Sequence, residues 1–408
     1  MRILYFSPQD CWPLTSGARL RNYHLATQLA SGAQVSWLGM RQPGELAVPL
    51  PGGKNTFEAV ESVVREKGYS PGKLLRGLIG PDPVTVLNFW SLAVARSLRN
   101  ILSSRYFDTV QLEGIHLIRY VPVIRACSPG TAIIADWHNI ESEIMRRYAG
   151  TSTSLSRRIF AARTARLIER AEERLLTICD AHVVASDRER GELGRRAPEA
   201  RLSTIPNGVD VALYRSGNHR PPSTASMTEL LFVGSMDYHA NVDGVEWFVR
   251  EIWPVLTERH PEFALNIVGR DPDPRVRALD AASINVTGTV DDVRPYYSRA
   301  LAAVVPLRVG SGTRLKILEA MAAGVPVIST RLGAEGLEVA DGQHLLLADT
   351  PEEFAAAIDR ISSDPSLRVH LVEAGYDLVE RVYDWRTLGA HLFDVHTETA
   401  ERRRRALP

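Results

Sequence analysis

A chain of 408 residues is long for one hydrophobic core, so two domains are the expectation. Its 45% apolar and 24% charged residues suit a soluble globular protein, and 48 basic against 48 acidic side chains leave no net charge to attract nucleic acid. Cys11, Cys127 and Cys179 stand apart without CxxC spacing, which argues against a metal centre or disulfide framework and for a reducing cytoplasm.

Residues 2–7, RILYFS, form a short apolar run and predict a buried strand. They carry no signal-peptide pattern, and no apolar run of about 18 residues follows anywhere, so a chain that does not span a membrane is expected. A loop then leads to Ser16 and Gly17, an amphipathic helix over about 19–29 and a strand over 35–38. Gly17 lets a ligand approach the backbone, and Arg19 and Arg21 lie near the helix start. This predicts one wall of a substrate cleft; an ordinary helix cap with solvated arginines is the plainer reading. Residues 50–100 resist assignment, because Gly52, Gly53, Pro71, Pro81 and Pro83 interrupt every pattern. Strands follow over 108–112 and 132–135. Each ends among polar side chains: Gln111 and Glu113 after the first, Asp136, His138 and Asn139 after the second. Polar groups at strand carboxyl ends line the crevice of an open α/β sheet. A long helix over 154–179, a strand over 181–185, a helix capped by Ser186 with Glu189 as in a capping box, and a strand over 203–206 complete this half.

Residues 207–226 are rich in Gly, Pro, Ser and Asn and read as a linker. The α/β rhythm then restarts, with strands over 230–233, 264–268 and 284–287, a helix over 245–257 and a short one over 292–299. The next stretch, 302–330, is AAVVPL, the loop RVGSGTR, the helix LKILEAMAAG and the strand VPVIST. Strand, glycine loop, helix and strand make one βαβ unit, with the loop at a helix amino end where unpaired N–H groups favour an anion. Arg314 and Lys316 sit in that first turn, where the dipole disfavours cations. Their presence makes sense against a bound anion of several charges, so the unit reads as a diphosphate clamp. A strand over 344–347 and helices over 351–362 and from 365 onward follow, and the basic end 401–405 reads as the solvated end of an amphipathic helix, with contact to an anionic membrane as the alternative.

The block GSGTRLKILEAMAAGVPVISTRLGAEGL resembles the signature of family 4 of the retaining glycosyltransferases. SGARLRNYHLATQLA, DWHNIES, IPNGVD and LLFVGSMDYHANVDGVEWF resemble the family's other segments, in order. The resemblance implies the GT-B fold: α/β, two Rossmann-like domains with parallel sheets facing an interdomain cleft. It places an acceptor-binding domain at 1–206, a linker at 207–226, a nucleotide-sugar domain at 227–385 and a C-terminal helix at 386–408 that packs back toward the first domain. Glu319 then binds the donor ribose. Ser311 stands where the family has its first glutamate, and Ser235 and Asn241 stand where it has an Arg and a Lys on the diphosphate. Arg314 and Lys316, with the N–H groups of Gly312 and Thr313, are expected to supply the missing charge. Gly17, Gly234, Arg270, Thr289 and Val290 complete the donor side, the last two at the base. Arg19, Glu113 and Asp136 fall on the acceptor side, and His138 is near the reacting carbon or the acceptor.

The activity implied is transfer of a hexose from a nucleotide-diphosphate sugar to a glycan, lipid-linked or small-molecule acceptor, in cell-surface polysaccharide or glycoconjugate synthesis. No DxD motif lies in the right context, Asp271 and Asp273 reading as turn residues, so no metal or other cofactor is expected. The leaving phosphate can take the acceptor proton in a front-face mechanism; a double displacement on Glu113 or Asp136 stays open. Two other readings also stay open: a sugar-nucleotide epimerase of the same fold, and a binding subunit without turnover, which Ser311 favours. A dehydrogenase is disfavoured, since GSGTRL lacks the third glycine of GxGxxG. The arginines over 146–170 and the segment KLLRGLIG suit either solvated helix faces or a peripheral membrane contact.

Overall fold

Parallel strands alternate with helices along the whole chain, and they gather into two sheets. The computed structural model describes residues 1–14, 16–46, 56–66, 68, 70–151, 154–215, 227–310 and 315–406. One compact unit comprises Met1–Pro206 and the chain from Leu388 onward; the other is Asn207–Thr387.

The first unit holds β1 (Arg2–Phe6), β2 (Gln34–Arg41), β3 (Ala59–Val64), β4 (Thr109–Glu113), β5 (Ala132–Trp137), β6 (Ala181–Val184) and β7 (Leu202–Thr204). Their order is β3-β2-β1-β4-β5-β6-β7, every pair parallel. The order reverses between β1 and β4, and at such a switch point the strand carboxyl ends open a crevice. β1 is buried on both faces, with Ile3, Leu4, Tyr5 and Phe6 at 0% exposure, as a central strand covered by helices requires.

The second unit repeats the plan with β8 (Glu229–Val233), β9 (Ala264–Val268), β10 (Ile284–Gly288), β11 (Ala300–Val305), β12 (Val327–Ser329) and β13 (Leu346–Leu347). The order is β10-β9-β8-β11-β12-β13, with the switch between β8 and β11. β11 is buried along its whole length, and the helices Leu315–Ala322 and Pro351–Ser363 pack over this sheet through Ile317, Leu318, Phe354 and Ile358. Thr350 and Glu353 form a complete capping box on the latter helix.

Residues 50–100 contain β3 and the helices Pro71–Ile79, Val84–Phe89 and Leu92–Ser104. The prolines that seemed to break the pattern mark helix starts: Pro71 is a first-turn residue behind the Ser70 cap, and Pro83 is itself the cap of the next helix. β3 is an edge strand, half exposed, so its alternation is weak. The helix expected over 245–257 begins earlier, at His239–Trp247, passes through a π-helical turn at Phe248–Ile252 and resumes at Trp253–Arg259. Pro254 has no N–H and its ring crowds the carbonyl one turn back, which accounts for the wider turn.

The linker expected at 207–226 is corrected in its first part. Val209 exchanges backbone hydrogen bonds with Tyr383 (2.8 Å) and Trp385 (3.2 Å), and Val211–Arg215 is helical, so residues 207–215 belong to the second unit. Residues 216–226 lie outside the described residues. The C-terminal helix is Trp385–Arg405. From Leu388 on it packs on the first unit: the Phe393 ring covers Gly32 and Gly389 abuts Gln28. Arg403 is not simply solvated, as its Nη2 donates to the Pro129 carbonyl at 2.6 Å. No helix among the described residues is long and apolar enough to cross a membrane.

Candidate active site

In the second unit the chemistry gathers at the carboxyl ends of β8, β9 and β11. Gly234 follows β8 and Gly269 follows β9, and their backbones touch. A β-carbon on Gly269 would lie 1.6 Å from the Gly234 oxygen, and one on Gly234 would lie 2.7 Å from Asn241 Nδ2 and 2.8 Å from Lys316 Nζ. At Gly269 the obstacle is backbone and only glycine fits; at Gly234 it is two side chains, which have to move aside for any larger residue. Lys316 sits in the first turn of the helix Leu315–Ala322, its Nζ donating to Asn241 Oδ1 at 2.8 Å and lying 4.1 Å from the centre of the Phe232 ring. Asn241 in turn donates to the Ser235 carbonyl at 2.8 Å. So the ammonium stands beside the position where the resemblance implies a lysine, delivered from another element.

Glu319 lies one turn further along the same helix and accepts from the Tyr297 hydroxyl at 3.3 Å. Burial pushes its carboxyl above the ordinary range, while hydrogen bonds from Tyr297 and Tyr214 and the Lys316 charge oppose that shift. Tyr214 packs edge-on against Tyr297, with centroids 5.9 Å apart. An acceptor-only carboxylate and an ammonium three residues apart share one helix face, suited to a pair of hydroxyls and a phosphate respectively. Arg270, after β9, donates from Nε to Ser235 Oγ at 3.0 Å. Thr289 is exposed just after β10, and Val290 packs partly against the core. Asp273 caps the helix Pro274–Arg277 by accepting from Arg275 N at 2.9 Å, a turn role, and Asp271 precedes it at φ 51°. The loop after β11 enters its glycine run at Gly310, φ 116°; Ser311, Gly312, Thr313 and Arg314 lie outside the described residues.

In the first unit the polar groups meet at the ends of β4 and β5. Thr109, Gln111 and Glu113 alternate along β4 and therefore share one face, each at most 1% exposed. Glu113 Oε2 meets His138 Nε2 at 2.7 Å, and Glu113 Oε1 accepts from Gln111 Nε2 at 2.7 Å. The Asn22 amide, oriented so that both its ends have partners, donates to Glu113 Oε2 at 2.8 Å. On β5, Asp136 is clasped by Arg21, whose Nη2 reaches both carboxylate oxygens at 3.2 and 3.1 Å while Nη1 donates to the Pro206 carbonyl at 2.9 Å.

Burial pushes the Asp136 carboxyl up to about 6; Arg21 pulls against this and Glu113 adds to it. Burial alone would strip the proton from His138, but the Glu113 hydrogen bond and the charges of Glu113 and Asp136 outweigh it, and the imidazole is held above its ordinary value. His138 remains 20% exposed, so its protonated form can meet a ligand. His116, behind it, is pushed down to about 4 by burial, with His138 and Arg65 adding to the effect. Glu113, Asp136 and His138 bring three potential ligand atoms within 4.8 Å of one another. Arg21 already holds Asp136 with a full positive charge, so the set suits a cationic imidazole better than a divalent ion. Gly17 opens the helix Gly17–Ala30, whose cap Ser16 accepts from Arg19 N at 3.3 Å. The Arg19 side chain ties down the first loop through Gln9 Oε1 (3.0 Å) and the Pro13 carbonyl (3.3 Å).

Sequence reasoning placed Arg21 only as a residue near a helix start and did not single out Asn22, Tyr214, Tyr297 or His396. Gln111 did carry a signal, a polar residue in phase with Thr109 and Glu113 on a strand otherwise apolar. The others carried none, since each acts on a partner far away in the chain.

Two Rossmann-like units, each a parallel sheet with a switch point in its strand order, define an α/β protein of the GT-B type. Residues 15–213 match the model of Glycosyltransferase Family 4 and residues 228–364 that of Glycosyl transferases group 1. The chain belongs to this family of glycosyltransferases. It is similar to a phosphatidyl-myo-inositol mannosyltransferase of Mycolicibacterium smegmatis, 31% identical over 47% of this chain and 50% of the relative. It is also similar to D-inositol 3-phosphate glycosyltransferase 2 of Catenulispora acidiphila, 28% identical over 58% of this chain and 60% of the relative. The chain thus spans about half the length of the curated relatives it matches. Among solved structures, sucrose-phosphate synthase of Thermosynechococcus elongatus matches with a TM-score of 0.69 at 19% identity, covering 98% of this chain and 100% of that one. HepE of Anabaena in complex with UDP matches with a TM-score of 0.64 at 13% identity, covering 98% and 100%. At these identities the structural likeness concerns the fold.

Proposed function

We propose that this protein moves a sugar from a nucleotide-diphosphate sugar to a hydroxyl acceptor, retaining the anomeric configuration and needing no metal. The second unit holds the donor and the first the acceptor. The observation that carries this reading is Lys316 and Glu319 on one helix beside the Gly234–Gly269 contact: an ammonium for the diphosphate and a carboxylate for the ribose, with bare backbone between. A positive charge aimed at the departing diphosphate stabilises the charge that develops there, the work a cation would otherwise do. Asp136 is occupied by Arg21, and Glu113 by His138, Gln111 and Asn22. Carboxylates so engaged are poor nucleophiles. This favours a front-face step in which the acceptor oxygen bonds the anomeric carbon as the carbon–phosphate-oxygen bond breaks. The acceptor proton passes to the departing phosphate.

Thermal unfolding with UDP, GDP, ADP and TDP, without metal, tests the donor side. One nucleotide at about 100 times its dissociation constant is expected to add roughly 2.7 kcal/mol of stability, and Glu319→Gln is expected to abolish most of that gain. UDP is the first to try, since the HepE structure contains it. No gain with any of the four would sink the reading.

The acceptor side also fits an anionic lipid surface, which belongs with a lipid-linked acceptor in cell-surface glycan synthesis. Residues 144–166 contain six arginines and no acidic residue. The helix Leu155–Ile178 begins there with Leu155 69%, Ile159 62% and Phe160 41% exposed. Each arginine near an anionic membrane contributes about 1 kcal/mol, so Arg157→Ala with Arg158→Ala should weaken binding to phosphatidylglycerol-containing vesicles roughly 30-fold. Equal binding to neutral phosphatidylcholine vesicles would refute the electrostatic contact.

A further inference from the structure

The face of β4 that carries Glu113 continues inward as an unbroken chain of short hydrogen bonds. Gln111 Nε2 donates to Glu113 Oε1 at 2.7 Å, and Gln111 Oε1 lies 2.7 Å from His396 Nε2. His396 Nδ1 lies 2.7 Å from Thr109 Oγ1. His396 comes from the helix Trp385–Arg405 and is 0% exposed.

The protons along this chain follow from donor and acceptor chemistry. Glu113 as a carboxylate only accepts, so Gln111 must turn its NH₂ outward to Glu113 and its carbonyl inward. That carbonyl only accepts, so His396 must carry its hydrogen on Nε2. Nδ1 is then the acceptor, and Thr109 donates to it. Burial keeps His396 neutral, far below its ordinary value at about 3, so the imidazole has one donor and one acceptor, as the chain requires. Every bond has one allowed direction, from Thr109 to Glu113.

We infer that His396 is a positioning residue for His138, acting through Gln111 and Glu113. The inference rests on the reading of His138 as a residue of the reaction site. A row of polar side chains buried beside Val110 and Leu112 is unfavourable unless each bond is satisfied, and an apolar stripe would pack there at less risk. What the row provides is a fixed carboxylate at the edge of the crevice. Gln111 holds one Glu113 oxygen, leaving the other aimed at His138. Without the Gln111 donor, Glu113 is buried with less compensation for its charge. Its carboxylate is then no longer fixed in place, and the hydrogen bond that holds the proton on His138 weakens. The other groups that face His138 are Asp136, Arg21 and the Asn22 amide nitrogen, 3.2 Å from His138 Nε2, with His116 and Glu141 further out.

The test is the titration of His138 in the full chain, followed by its imidazole proton–carbon NMR signal, assigned with His138→Gln. In His396→Phe and Gln111→Leu the midpoint is expected to fall by ~1 pH unit. His396→Gln keeps one donor and one acceptor and is expected to restore it. Thr109→Val, milder for the fold, frees the His396 tautomer and is expected to shift the midpoint the same way by less. A midpoint unmoved in Gln111→Leu and Thr109→Val, in protein that still melts cooperatively, would overturn the inference, because a purely structural role predicts lower stability and nothing at His138. Nucleotide-dependent stabilisation is measured on the same samples. Its absence in the parent protein would undo the donor reading and leave the relay standing; an unmoved His138 would do the reverse.

Discussion

Arg21→Met is expected to destabilise the protein by about 3–5 kcal/mol, because it leaves the Asp136 carboxylate buried without its counter-charge. Both side chains are nearly inaccessible, Arg21 at 2% and Asp136 at 1%, so water cannot take over. Met matches the length of the arginine stem and limits the cavity, which isolates the charge effect. The double variant Arg21→Met with Asp136→Leu should recover most of the loss, since replacing both members of a buried pair is often near neutral. The effect has a definite pH signature. Asp136 in the folded protein binds its proton more tightly than in the unfolded chain, at about 6 against an ordinary 3.8. Its contribution to stability therefore falls as pH rises through that window. Without Arg21 the folded-state value moves higher still, so the deficit of Arg21→Met should shrink as the solution is acidified below pH ~6. Urea unfolding of the three proteins at pH 5 and pH 8 measures this. A single-variant loss under about 1 kcal/mol at pH 8 would mean the pair is not buried as described.

Gly269→Ala is the second large effect, and it differs in kind from Gly234→Ala. At Gly269 the added carbon meets backbone, 1.6 Å from the Gly234 oxygen and 2.7 Å from its carbonyl carbon. Neither atom moves unless the ends of β8 and β9 separate, which would break the bond from Gly234 N to the Val268 oxygen, 3.0 Å long. A loss of about 3 kcal/mol or more is expected, together with loss of the nucleotide-dependent rise in stability. At Gly234 the added carbon meets only the ends of two side chains, Asn241 Nδ2 and Lys316 Nζ. These rotate away at little cost to the fold, so stability should stay within about 1 kcal/mol. The displaced Lys316 ammonium should weaken nucleotide binding about tenfold or more, as a lost charge-assisted phosphate contact does. Denaturant unfolding and nucleotide titration on both variants separate the two outcomes. Equal stability of the two variants would contradict the backbone contact.

Much of the architecture was legible because it is written locally. Short apolar runs separated by helical periodicity give parallel strands and crossovers, and the runs at 2–7, 132–135 and 264–268 emerged within two residues of their observed ends. The opaque stretch was 50–100. There an edge strand lacks the double burial that marks its neighbours, and prolines that begin helices look like prolines that end them.

The site divides along the same line. Lys316 and Glu319 were readable together because helical spacing sets residues three apart on one face, whatever the rest of the chain does. The strand-end placement of Glu113, Asp136 and His138 was readable because a parallel sheet turns all its carboxyl ends to one side. What each group pairs with was not. Arg21 and Asp136 are 115 residues apart, Lys316 and Asn241 75, and His396 and Gln111 285. No periodicity links such positions; crossovers and the returning C-terminal helix bring them together. The sequence by itself determined which chemical groups stand at the strand ends. Only the tertiary structure decided which carboxylates are neutralised, which imidazole holds a proton and which ammonium stands by the glycines, because charge states inside a protein are set by burial and by neighbours that local sequence does not specify.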